Sequence, residues 1–376
     1  MRTAFFQDLH SPLPMDDLNL RFDDYITQCR TRITQRRLDL NSPLAEQIIN
    51  ANTPFELRPT QSIQCGALLI HGLLDSPFTM RDMGLQLQAQ GVLCRSILLP
   101  GHGTVPGDLL HVNYQEWLQA VRYGIASFAK EVDQLYLIGY STGASLALYH
   151  GLQAKDNIAG IVMLAPALKI NSPLAGIANG YKLLSWAWPR AAWLTQDANE
   201  SRDYTRYTSI TLNAVHQVHQ LARAIQKEKP CSLPLLFVIA QHDDTVCSRA
   251  SLDYFQKQTH PKNHLLLYGN TPIAIDPRIT QRRSDYPLLR IRDFSHLALP
   301  ISQQNLHYGE NGDCPLASRV MTEDDTIYGE FGPLQIRLNE ALVKLKLSRY
   351  HYKRLTFNPD FDFLMKAVRR FLGTEK

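Results

Sequence analysis

The sequence predicts an α/β fold: a doubly wound, mostly parallel sheet with a helical cap inserted into it. Three observations predict it. Short, near-continuous apolar runs recur between helical patterns, as expected of parallel strands covered on both faces. One of these runs, Gln134–Ile138, leads straight into Gly139-Tyr140-Ser141-Thr142-Gly143 and then into the helical pattern from Ala144. Finally, residues 169–231 separate two strand patterns by far more than an ordinary connection.

Residues 1–62 read as an N-terminal extension, partly helical. From Leu20 to Leu40, apolar residues fall at Phe22, Tyr25, Ile26, Cys29, Ile33 and Leu38, close to helical spacing. The opposite face carries Arg30, Arg32, Arg36 and Arg37. Such a helix packs on the core with a solvated basic face; the alternative is an interfacial helix on anionic lipid. Residues 63–168 and 232–376 read as the α/β core. Strands are predicted at 66–72, 91–98, 134–138, 160–166 and 235–240, a strand-like run at 265–268, and a further strand at 288–294. Helices are predicted over 79–90, 114–131, behind Ser141, and near 360–373. The 169–231 insertion reads as a mostly helical cap, carrying Tyr181, Trp186, Trp188 and Trp193. Residues 270–287 and 299–350 are irregular.

Composition narrows the function classes. The 39 basic residues exceed the 35 acidic ones by four, too few to argue for nucleic acid. Six cysteines contain no C-x-x-C pair and are expected to be reduced. The N-terminus turns polar too early for a signal peptide, and no apolar run reaches the ~18 residues of a membrane span. The expectation is a cytoplasmic protein without cofactor or metal. His71 and His102, at strand ends beside glycines, are expected in structural turns rather than as metal ligands.

The G-x-S-x-G segment carries the chemistry. A serine on a strained strand-to-helix turn has its hydroxyl lifted above the sheet edge, and the helix behind it aims free N–H groups at the reacting centre. Serine needs a base in hydrogen-bond reach and a third group to orient that base. These groups belong after later strands, beyond the carboxyl ends of the sheet. Asp243 and Asp244 follow the 235–240 run, and either could hold an imidazole. His296 follows the 288–294 run, which completes the order Ser, Asp, His. His264 and His307 are the fallback bases. Backbone N–H groups of Thr142 and Leu73 are placed to receive a developing oxyanion.

These features together resemble the α/β-hydrolase superfamily, with bacterial carboxylesterases and monoacylglycerol lipases as the nearest look-alikes. The resemblance rests on His71-Gly72, Leu99-Pro100-Gly101-His102-Gly103, the Gly139–Gly143 segment, and the acid and histidine turns. It covers about residues 60–300 and the terminal helix. In that family the acid lies in a turn resembling G-x-x-D-x-x-V; Ala240–Val246 fits that register, which selects Asp243 over Asp244. The family's histidine often follows glycine, where this chain has Ser295. The resemblance implies an α/β-hydrolase fold with a cap between the strands flanking 169–231. It implies a serine hydrolase acting on a small-molecule ester with an apolar acyl group, through Ser141, Asp243 and His296. Trp186 and Trp188 are candidates for lining an acyl pocket, plain packing of the cap being the equal alternative. A thioesterase or acyltransferase on the same residues is the near rival. A non-catalytic binding or scaffold module on the same fold is the rival from another class. Neither the oligomeric state nor the acyl length is legible.

Overall fold

The computed structural model describes residues 17–129, 131–153, 157–171, 192–197 and 203–375. Its centre is an eight-stranded sheet. In chain order the strands are β1 (Phe55–Leu57), β2 (Cys65–Ile70), β3 (Val92–Ile97), β4 (Leu135–Tyr140), β5 (Ile158–Leu164), β8 (Leu235–Ala240), β9 (His264–Tyr268) and β10 (Ile279–Arg282). Spatially they run β1-β3-β2-β4-β5-β8-β9-β10. All neighbours are parallel except β1, which closes one edge antiparallel to β3. Every residue of β2, β3, β4 and β8 is buried, which is why β2, β4 and β8 read as near-continuous apolar runs, whereas β3 carries the buried Arg95 and Ser96.

The described helices are α1 (Phe22–Arg36), α2 (Ala45–Asn52), α3 (Arg81–Gln88), α4 (Tyr114–Ala126), α5 (Thr142–Gln153), α6 (Leu212–Ile225), α7 (Ser248–Gln256), α8 (Pro333–Lys344) and α9 (Phe361–Leu372). Asn113 starts α4 with a capping box, its side chain taking the Glu116 N–H while Glu116 reaches back to the Asn113 N–H. Two small sheets lie outside the centre. β6 (Trp193–Thr195) pairs with β7 (Ile210–Thr211), and β11 (Thr326–Gly329) pairs in parallel with β12 (His351–Arg354).

The N-terminal helix is part of the core. α1 buries Phe22, Tyr25, Cys29 and Ile33. The Tyr25 hydroxyl accepts the Leu98 N–H at 3.0 Å, just past the end of β3. Its basic face is engaged in ion pairs, Arg30 with Glu46 and Arg36 with the fully buried Asp108. Its apolar face is therefore occupied by protein. No described helix is long and apolar enough to cross a membrane.

One strand expectation fails. Residues 288–294 form no strand of the main sheet. Pro287–Leu289 is a 3₁₀ turn, Arg290 is left-handed (φ 54°), and Leu288 is 95% exposed. Proline at 287 lacks the N–H a ladder requires and favours a helical first turn, and that outweighs the apolar pattern after it. Ile291 instead makes isolated bridges to Tyr286 and Tyr328. The outer edge is supplied by β9 and by β10, whose four residues lie in a stretch read as irregular.

Candidate active site

The fold brings Ser141, Asp243 and His296 together from three separate loops. Ser141 lies between β4 and α5 with φ 55°, a conformation costly for a residue with a side chain. The turn is held by the Ser141 N–H, which donates to the Leu164 carbonyl at 2.8 Å. Two glycines permit it. A Cβ on Gly139 would lie 2.4 Å from the Gly143 carbonyl oxygen, and one on Gly143 would lie 2.2 Å from that of Ile70. The helix thus starts against the end of β2, with Thr142 as its first residue.

His296 Nε2 stands 3.0 Å from Ser141 Oγ, and His296 Nδ1 stands 2.6 Å from Asp243 Oδ2. All three residues are buried. The other Asp243 oxygen accepts the N–H groups of Thr245 and Val246 at 2.8 and 2.9 Å, which fixes the carboxylate. Asn171, at the end of the described segment after β5, donates to the Asp243 carbonyl at 2.8 Å and braces that turn. Asp244 is exposed. His264 pairs with Thr280, and His307 lies between Asp203 and Asp313, so neither fallback histidine makes the contact with Ser141. A base in hydrogen-bond contact with a serine, itself oriented by a fixed carboxylate, can take and return a proton during attack on a carbonyl.

The Leu73 loop lies beside the serine: a Cβ on its neighbour Gly72 would be 3.2 Å from Ser141 Cβ. Two buried histidines shape this loop. His102 Nε2 accepts the Leu74 N–H at 3.1 Å, and His71 Nε2 accepts the Leu99 N–H at 3.0 Å. Burial pushes the His102 imidazole down to about 4 and holds that of His71 well below its usual range, so both stay neutral acceptors. Leu74 adopts φ 69°, a second strained residue beside the serine. Trp186 and Trp188 lie outside the described residues. A separate cavity of about 800 Å³ opens beside Gln134, Asn263, His264 and Phe363, and touches none of the three central residues.

Several residues around this centre make contacts that no motif in the sequence marks. Tyr140 donates its hydroxyl to the His296 carbonyl at 3.2 Å. Asp75 is buried, with Arg206 Nε 3.5 Å away. Burial raises the Asp75 carboxyl and the Arg206 charge opposes that rise. Arg206 is delivered by its neighbour Tyr207, whose N–H donates to the Leu74 carbonyl at 2.7 Å. Glu330, far along the chain, accepts the His296 N–H at 2.5 Å. An aspartate just past His71-Gly72 was the only available sequence signal; the other contacts cross too many residues to leave one.

A family model described as serine aminopeptidase, S33, matches residues 65–271, more than half of the chain. The chain belongs to that α/β-hydrolase family. Among curated proteins it is 30% identical over 118 residues to a thermostable monoacylglycerol lipase of Bacillus sp. (strain H-257), covering 31% of this chain and 47% of the lipase. The chain thus spans about half the length of that relative. It is 24% identical over 203 residues to a carboxylesterase of Bacillus subtilis, covering 52% of this chain and 79% of the esterase. Among solved structures, one of the metagenome-derived lipolytic enzymes LipS and LipT superposes with a TM-score of 0.50 at 19% identity, over 58% of this chain and 87% of that one. That likeness supports the α/β-hydrolase fold. The family match ends at residue 271, short of His296 and of the segment that carries Glu330.

Proposed function

We propose that this α/β-hydrolase is a serine esterase that cleaves small carboxylic esters with an apolar acyl group through an acyl-enzyme on Ser141. The observation that carries the reading is the continuous hydrogen-bonded chain from Ser141 Oγ through His296 to Asp243, at 3.0 and 2.6 Å. Ser141 Oγ attacks the ester carbonyl while His296 Nε2 takes its proton. The carbonyl oxygen becomes an oxyanion, received by the N–H groups of Leu73 and Thr142, each worth about 3 kcal/mol in such a role. The C–O bond to the alcohol breaks as His296 returns the proton to the leaving oxygen. A water, deprotonated by His296, then attacks the acyl carbon, and the carboxylic acid leaves as Ser141 regains its proton. Asp243 holds the ring tautomer and stabilises the imidazolium.

Support for the ester bond is that the curated relatives are named a monoacylglycerol lipase and a carboxylesterase. The test is a panel of p-nitrophenyl esters graded by acyl length, with a matched thioester and an aminoacyl p-nitroanilide alongside. Turnover of the esters with a burst of p-nitrophenol supports the reading. Turnover of the anilide or thioester alone would redirect it to the amide bond implied by the family's description or to thioester cleavage. Turnover of none points to a binding or scaffold role.

A further inference from the structure

The main sheet reaches the His296 backbone through the Tyr140 hydroxyl at the end of β4, which donates to the His296 carbonyl at 3.2 Å. The last strand of the main sheet, β10, ends at Arg282, and the chain then runs irregularly to Ser295-His296-Leu297. Further hydrogen bonds that hold this loop come from the segment 299–358. The Ser295 hydroxyl donates to the Leu355 carbonyl at 2.5 Å. The His296 N–H donates to Glu330 Oε2 at 2.5 Å, and Arg354 Nη2 donates to Glu330 Oε1 at 2.7 Å. Glu330 directly follows β11, and Arg354 ends β12; Gly329 and Arg354 are register partners in that small sheet. The Glu330 N–H in turn donates to Asp293 Oδ1 at 2.6 Å, and Arg292 donates to the Glu330 carbonyl at 2.6 Å. A Cβ on Gly329 would lie 2.4 Å from Asp293 Oδ1, so the close approach needs glycine there.

We infer that Glu330 is a positioning residue for the proposed reaction: its buried carboxylate fixes the His296 backbone and adds a negative charge that favours the imidazolium. The inference rests on His296 acting as the base. Glu330 is 3% exposed and both its oxygens accept from donors, which is the bonding of an ionised carboxylate. Burial raises this carboxyl; Arg354, the His296 N–H and the His296 charge oppose that, while Asp243 adds to it. The charged and titratable groups facing the ring are Asp243 from the loop after β8, Asp75 from the loop after β2, the Tyr140 phenol from β4, and Glu330 from the small sheet. Arg206 and Arg354 stand behind Asp75 and Glu330. Two of the three carboxylates near the imidazolium thus belong to the α/β core, and the third to the added segment.

The test compares the full chain with Glu330→Gln and Glu330→Asp, using an NMR titration of the His296 ring and steady-state ester kinetics. Glutamine keeps the shape but removes the charge and one acceptor. The ring of Glu330→Gln should release its proton at a lower pH than wild type, because the negative charge that favours the imidazolium is gone. Its kcat should fall at least about tenfold with KM little changed, as expected when a base is displaced by a fraction of an ångström. Aspartate restores the charge with a shorter reach, so the titration should return toward wild type while kcat stays low. If Glu330→Gln does not fold, wild-type kcat in Glu330→Asp would overturn the positioning role. An unmoved titration in folded Glu330→Gln, or a kcat loss that merely tracks the folded fraction, would overturn it as well. The NMR readout needs no substrate, so failure of the ester panel leaves this test intact.

Discussion

His296 Nδ1 lies 2.6 Å from Asp243 Oδ2, while the adjacent Asp244 faces solvent. One residue of register therefore separates an orienting carboxylate from a surface one. Asp243→Asn should lower kcat by about 10⁴-fold, because the amide favours the wrong ring tautomer. Asp244→Asn should change kcat less than about threefold. Steady-state kinetics on the best ester of the panel checks both, and equal losses would reverse the assignment.

Gly143 and Ile70 give a second prediction. A Cβ on Gly143 would sit 2.2 Å from the Ile70 carbonyl oxygen, and backbone cannot yield as a flexible side chain would. Gly143→Ala should destabilise the protein by about 3 kcal/mol or more, measured by urea denaturation. A change below about 1 kcal/mol would mean that α5 stands farther from β2.

His307 gives a pH dependence. Its ring nitrogens contact Asp313 at 2.5 Å and Asp203 at 3.1 Å, joining the segment after residue 203 to the 305–314 loop. Burial alone would lower its pKa, but bonding to Asp203 and Cys314 and the Asp203 charge raise it to about 10. A folded value above the unfolded one of about 6.5 means stabilisation that is complete below pH 6.5 and lost as pH rises through 10. His307→Gln should cost roughly 3–5 kcal/mol near pH 6.5, since it removes the cationic partner of the buried Asp203 carboxylate, which keeps its hydrogen bonds from Thr205 and Tyr308. The gap between wild type and variant should shrink steadily toward pH 10. Denaturation of both proteins across that range checks it; a constant gap would contradict it.

The N-terminal helix is the fourth case. Burial of Phe22, Tyr25, Cys29 and Ile33 at about 1.5–3 kcal/mol per large side chain approaches the whole stability of a typical domain. Deleting residues 1–40 should therefore yield insoluble protein, or a thermal midpoint at least about 10 °C lower. Liposome flotation of intact protein should be unaffected by exchanging Arg32 for glutamine. A truncated protein with full stability that no longer floats with vesicles would favour the lipid-bound helix instead.

What was legible in the sequence follows from range. The strand-to-helix turn at Ser141 was legible because its requirements are local: two glycines, a serine, an apolar strand before and a helix behind. The central strands were legible because burial on both faces makes them mostly apolar, Arg95 and Ser96 in β3 being the exception. β1 and β10, three and four residues long at the two edges, carry no period to detect. The 288–294 segment resembles a strand by its apolar spacing alone, and Pro287, which opens a 3₁₀ turn, is what breaks it. Glu330 was invisible because its role depends on a contact 34 residues back to His296, made through a sheet of two short strands. Arg206 was hidden in the same way, reaching Asp75 only after the Tyr207 N–H meets the Leu74 carbonyl.

The most direct measurement is covalent labelling with a fluorophosphonate, with the adduct located by peptide mass spectrometry. One stoichiometric adduct on Ser141 is expected, formed at a rate that collapses in His296→Ala while the fold is retained. Absence of label on Ser141 in folded protein, or labelling that is indifferent to His296, would contradict it.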